Sequence, residues 1–211
     1  YLPSSQKTPL LDFDNRVLQY GVPKPRILYA VIGHADSGKS TLAGHLAWLC
    51  GAVSREVIEN YRVDEPGKAP FKYAWIFDRL IAERERGVTI TSERLTFETR
   101  NFRMTLIDCP GHRDFIKNMI SGVVLADYAV LAVSASQGEF EAGISAEGQT
   151  REHCLLAYTV GIKQLIVCVT KMDSVDWSKE RFDEICKEVT DFIRKVGFQS
   201  QYSTFIPVSG E

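Results

Sequence analysis

No stretch of this sequence is apolar for long enough to cross a membrane. The longest apolar run, 123–133, is interrupted by Asp127, whereas a spanning helix needs roughly 20 such residues, so no membrane is expected among its partners. An excess of one charge is also missing. Lys and Arg number 25 against 27 Asp and Glu, a net charge of −2. The chain therefore has no global attraction to nucleic acid, and any RNA contact must be local or come from elsewhere. Cysteines are few: five, at positions 50, 109, 154, 168 and 186. Their odd number and the lack of CxxC spacing argue against a disulfide framework or a zinc site, and for reduced thiols in a cytoplasmic protein. Repeats and low-complexity tracts are absent, as are an initiating methionine and a charged-then-apolar leader. Both ends read as cut, the expectation being a piece of something longer.

What is present is ordinary for a globular domain, 45% hydrophobic and 25% charged over 211 residues, enough for one domain with an ample core. Residues 1–26 hold four prolines around one modest apolar cluster, Val17, Leu18 and Tyr20, and read as an N-terminal extension or linker. Residues 27–211 read as the domain proper. Strands are expected at 27–32, 89–99, 102–107, 128–133, 164–169 and 204–208, the second and third forming a hairpin about Arg100-Asn101. Helices are expected at 39–50, 55–61, in the charged stretch ending AERERG, and at 114–125, 147–160 and 179–196. The long polar insertion 52–87 reads as a mobile functional segment. This alternation predicts an α/β fold: a mostly parallel six-stranded sheet with one antiparallel edge strand and helices on both faces. Ligands then sit at the carboxyl ends of the strands.

The chemistry-bearing residues fall at those ends. After the first strand, Gly33, His34, Ala35, Asp36, Ser37, Gly38, Lys39 and Ser40 spell GxxxxGK[ST], followed by Thr41 and a helix. This is the phosphate loop in the strand–loop–helix setting it needs. Glycines let successive N–H groups converge on phosphate oxygens at the positive end of the helix. Lys39 would reach the β- and γ-phosphates, and the Ser40 hydroxyl would take a place on magnesium. After the third strand come Asp108, Cys109, Pro110, Gly111 and His112, a DxxG element. Asp108 would hold Mg²⁺ through water, and the Gly111 N–H would sense the γ-phosphate. After the fifth come Thr170, Lys171, Met172 and Asp173. A carboxylate at Asp173 accepts both the N1–H and the N2 hydrogens of guanine, a pair adenine does not offer. Lys171 would lie along the base, and Thr170 would brace the phosphate loop. Ser209-Gly210, after the last strand, would meet guanine O6. With Thr89 in the mobile segment, the order of these elements predicts a guanine-nucleotide switch binding GTP or GDP.

GHADSGKST, FKYAW, AERERGVTI, DCPGHRDFIKNMI, GEFEAGIS, GQTREH and LLAYTVGIKQLIV resemble the GTPase domain of the eukaryotic elongation factor 1-alpha family of translational GTPases, over roughly residues 27–210. The resemblance implies a P-loop GTPase that delivers aminoacyl-tRNA to the ribosome, is reloaded by a guanine-nucleotide exchange factor, and carries two C-terminal β-barrel domains that are absent here. It assigns Thr89 to closure over Mg²⁺ and the γ-phosphate, and His112 to positioning the attacking water once the ribosome orders it. Asp36 matches a phosphate-loop aspartate that would help hold a cation. His34, His45 and His153 are expected to pack or cap, with no metal cluster among them. Departures are Thr170 for asparagine, Ala35 for valine, Cys109 for alanine and Glu211 for tryptophan. The segment SVDWSKERF is shorter than its elongation-factor counterpart and closer to the ribosome-rescue relatives. Rescue or class II termination is therefore one alternative. A non-cycling guanine-nucleotide scaffold and an ATP-using P-loop kinase are two others.

Overall fold

The computed structural model describes residues 23–64, 72–145, 148–199 and 203–210. The Val17, Leu18, Tyr20 cluster, the Pro66-Gly67 break and Glu211 lie outside the described residues. Six strands, β1 (Arg26–Ile32), β2 (Glu93–Glu98), β3 (Arg103–Asp108), β4 (Tyr128–Ser134), β5 (Leu165–Thr170) and β6 (Thr204–Pro207), form one sheet in the order β2-β3-β1-β4-β5-β6. Only the β2–β3 pair is antiparallel; β1–β3, β1–β4, β4–β5 and β5–β6 are parallel. The helices are α1 (Lys39–Leu49), α2 (Arg55–Asp64), α3 (Ile81–Arg86), α4 (Ile116–Val123), α5 (Glu139–Ile144), α6 (Gln149–Thr159) and α7 (Lys179–Val196). The expected α/β architecture with one antiparallel edge strand is the one found.

Strand periodicity splits the core into two layers. Ala30 and Ile32 of β1, Ile107 of β3, and Leu131 and Val133 of β4 face Met119, Cys154, Ala157, Ile185 and Ile193. The alternate residues Tyr29, Val31 and Leu106 face Ala43, Tyr73, Ile76 and Phe77 on the other side. The strands β1, β3, β4 and β5 are most buried toward their carboxyl ends. The loops leaving those ends are thus built on the most rigid part of the sheet. Among the described residues no helix is long and apolar enough to cross a membrane, and all five cysteines are free.

Several boundaries differ from the expected ones for identifiable reasons. The second strand starts at Glu93, not at 89. The backbone N–H groups of Ile90 and Thr91 donate instead to the buried Glu83 carboxylate, at 3.0 and 3.1 Å. That carboxylate also accepts the Leu80 N–H at 2.9 Å, so one side chain organises both ends of the segment. The stretch after β4 holds a further helix, α5, where a loop was expected. Its first turn is closed by the Glu141 side chain accepting the Gly138 N–H, one half of a capping box. The helix expected at 114–125 opens with a 3-10 turn, Arg113–Phe115, before α4 begins.

Candidate functional site

The loop 33–38 leaves β1 with Gly33 at φ +144° and Gly38 at φ +79°, Asp36 also lying in the left-handed region at +60°. A Cβ on Gly33 would stand 2.3 Å from the Ala132 carbonyl oxygen, so only glycine lets the loop lie this close to β4. The loop curls until the Lys39 ammonium, buried at the start of α1, donates to the His34 carbonyl at 2.6 Å. Burial lowers the Lys39 pKa, with the Asp108 and Asp36 charges working against that.

Four segments converge beside it. The Ser40 and Thr89 hydroxyls are 2.9 Å apart, and Thr89 Oγ1 donates to Asp78 Oδ1 at 3.0 Å. Asp108, at the end of β3, is fully buried, and neither of its carboxylate oxygens has a hydrogen-bond partner. Burial pushes its pKa up to about 7, opposed by the nearby Ser40 hydroxyl and the Lys39 ammonium. Burial likewise pushes Asp78 up to about 6. Two orphaned carboxylate oxygens flanked by hydroxyls form a hard-oxygen donor set that fits Mg²⁺. Among the described residues no group of three or more His, Cys, Asp or Glu is placed to hold a metal ion by itself.

Gly111 lies directly over the phosphate loop. A Cβ there would stand 2.3 Å from Lys39 Nζ and 2.9 Å from both Ala35 N and His34 O. The lysine tip is able to move, but the two backbone atoms are not. Gly111→Ala is therefore expected to weaken triphosphate binding by about tenfold, an overpacking cost of the usual size, while diphosphate binding stays near wild type. Calorimetric titration with GDP and with a non-hydrolysable GTP analogue measures both. His112, beside it, caps the following turn: its Nδ1 accepts the Asp114 N–H at 3.3 Å, and its ring is 6.0 Å from that of Phe115.

A cavity of about 580 Å³ joins these pieces, lined by phosphate-loop residues, Asp78, residues 83–89, Gly111, His112, Glu139 and Lys171. The other expected site residues stand outside its lining. Thr170 is buried beneath the loop and donates to the Ser37 carbonyl at 2.7 Å, with Val133 O at 3.2 Å. Asp173 is exposed in the 3-10 turn Met172–Val175. Gly210 rests on α1, where a Cβ would meet Thr41 Cγ2 at 2.9 Å. Lys171, at φ +56°, reaches Glu139 at 2.7 and 3.0 Å. Glu139 also accepts from Ser134 Oγ at 2.7 Å. Partial burial works against the Glu139 carboxylate, but Lys171 and Ser134 outweigh it and hold its pKa below the usual range.

Sequence reasoning passed over three residues here. Asp78, Glu83 and Glu139 are carboxylates whose partners lie three to 32 positions away, and no short motif names them together. His153 of α6, expected to pack or cap, is completely buried, and its Nδ1 accepts the Gly33 N–H at 3.2 Å. Its hydrogen is therefore on Nε2, which is buried without a partner. Burial, with the Lys39 charge second, pushes its pKa from 6.5 down to about 3. The unfolded chain thus takes up this proton first. The stability contributed is full above about pH 6.5 and falls as pH drops toward 3. His153→Asn keeps an acceptor in the Nδ1 position and cannot titrate. Urea denaturation at about pH 7.5 and about pH 5 should show a smaller loss of stability in the variant than in the wild type.

The model of the elongation factor Tu GTP binding domain matches residues 24–211. The elongation factor 1-alpha-A of Schizosaccharomyces pombe is 57% identical over 192 residues, covering 90% of this chain and 42% of that protein; the chain thus spans about two fifths of the length of such relatives. Among solved structures, sup35 complexed with GMPPNP is 35% identical, with a TM-score of 0.65, over 94% of this chain and 40% of that one. The GTP-bound GTPase-like domain of S. cerevisiae Ski7 superposes better, at a TM-score of 0.81 over 95% of this chain and 45% of that one. At 21% identity, however, it speaks for the fold alone. With nearly the whole described chain inside the family match and more than half its residues identical to a relative's, this chain belongs to the elongation factor Tu GTP-binding domain family.

Proposed function

We propose that this chain is the guanine-nucleotide switch of an elongation factor 1-alpha-like protein: it binds GTP and GDP with Mg²⁺, hydrolyses GTP on the ribosome, and so times the delivery of aminoacyl-tRNA. One observation carries this reading. Ser40 at the start of α1, Thr89 ahead of β2 and Asp108 at the end of β3 meet beside Lys39, with both Asp108 oxygens buried and without a hydrogen-bond partner. That arrangement is costly unless a cation and phosphates satisfy it. The phosphate-loop N–H groups of residues 33–41 and Lys39 would hold the phosphates, while Thr170 keeps the loop in shape through Ser37. Asp173 would read the guanine edge, Lys171 would flank the base, and Ser209-Gly210 would close over O6. The bound ion would neutralise phosphate charge and orient the γ-phosphate between Ser40, Thr89 and Asp108.

His112 acts by position. Its Nδ1 is engaged by the Asp114 N–H, so a water would be handled at Nε2, brought into line when the ribosome turns the loop inward. An exchange factor would reload the site, in the cytoplasm, and the cargo would be held by domains beyond the described residues. The test is binding of aminoacyl-tRNA by the full-length, GTP-loaded protein. Retention with GTP and release with GDP support delivery; GTP-dependent binding of a protein partner shaped like tRNA, with no aminoacyl-tRNA retained, would place the protein in rescue or termination.

A further inference from the structure

The base end and the phosphate end of the site are joined by a side chain that no motif includes. His45 lies on α1, five residues after Ser40. Its Nδ1 is 3.0 Å from the carbonyl oxygen of Gly210; a carbonyl only accepts, so Nδ1–H is the donor. The ring's flat face is stacked on Tyr73, with centroids 4.3 Å apart and planes 4° from parallel. Trp48 closes the cluster at 5.7 Å from His45 and 5.6 Å from Tyr73. The neighbouring Gly44 makes this possible, since a Cβ there would stand 1.9 Å from the Tyr73 carbonyl oxygen. The Tyr73 backbone therefore lies directly on α1. From Tyr73 the chain runs through the 3-10 turn Ala74–Ile76 to Asp78, which accepts the Thr89 hydroxyl.

We infer that His45 is a positioning residue for guanine: its N–H holds the Ser209-Gly210 loop at the base, and Tyr73 holds the ring in the orientation that does so. The consequence is specific. Grip on the base depends on a tyrosine in the segment that also carries Thr89, so displacement of that segment loosens guanine without any change at Asp173. The inference rests on the guanine-nucleotide reading, and the two separate in the experiment.

Wild type, His45→Ala, His45→Asn and Tyr73→Leu are compared for dissociation of GDP and of the diphosphate of 2-aminopurine riboside, which lacks O6. The loss of one hydrogen bond predicts that His45→Ala releases GDP about five- to tenfold faster, with the O6-less nucleotide changed less than about twofold. His45→Asn, which keeps an N–H donor in the Nδ1 position, should restore GDP dissociation to within about threefold of wild type. Tyr73→Leu should speed loss of GDP and spare the analogue. Equal acceleration of both nucleotides, or no effect of His45→Ala on GDP, overturns the assignment. Wild type that binds no guanine nucleotide overturns the proposed function itself, and this inference with it.

Discussion

Asparagine in place of Asp173 is expected to reverse the base preference of the site. The Asp173 carboxylate has two acceptors for the two hydrogens of guanine's N1 and N2; an amide keeps one acceptor and turns the other into a donor facing the guanine amino group. A bound base that covers a carboxylate leaves a mismatched donor without water or partner and is rejected strongly, and the loss of GDP affinity should be about a hundredfold or more. Xanthine carries an oxygen where guanine has the amino group, so xanthosine diphosphate should gain. Adenosine diphosphate should bind poorly to both proteins. The scaffold beneath Asp173 favours a clean reading: Thr170 is tied to Ser37, and Lys171 O accepts from Ser174 Oγ at 2.7 Å. The substitution at the exposed Asp173 thus leaves the bracing of the phosphate loop untouched. An unchanged base preference would favour an adenine-using kinase site.

The second large effect is kinetic. His112→Ala should lower ribosome-stimulated GTP hydrolysis by about a thousandfold, within the range of a group that positions a water or moves its proton in the transition state. GDP and GTP affinity should change by less than about twofold, because His112 contacts the Asp114 N–H and the Phe115 ring and braces no part of the phosphate loop. Single-turnover hydrolysis with and without ribosomes separates the two quantities. A scaffold that holds nucleotide without cycling would show no difference between the two proteins.

The fold and the turn geometry around Lys39 were legible because short-range chemistry writes them into the sequence. A glycine-bearing turn before Lys39 and Ser40, and an aspartate at the end of a β-prone run, are constraints on a few consecutive residues. The strand at Glu93 was harder to place. Its alternation continues back to residue 89, yet the Glu83 carboxylate draws the Ile90 and Thr91 amides away from the sheet, and periodicity cannot register a competitor seven residues upstream. The helix Glu139–Ile144 escaped because six residues containing Gly143 show no apolar period. The roles of Glu139, His153 and His45 are longer-range still, with partners 32, 120 and 165 positions away. Such pairings are set by sheet order, which places β1, β4, β5 and β6 side by side.

The most direct measurement is displacement of fluorescent GDP from the purified chain in magnesium-containing buffer, with GDP and ADP as competitors and Lys39→Ala as the control. The account predicts that GDP displaces the probe, that ADP does not, and that Lys39→Ala retains almost none of it. Displacement by ADP as effective as by GDP, or full retention of the probe without Lys39, would contradict it.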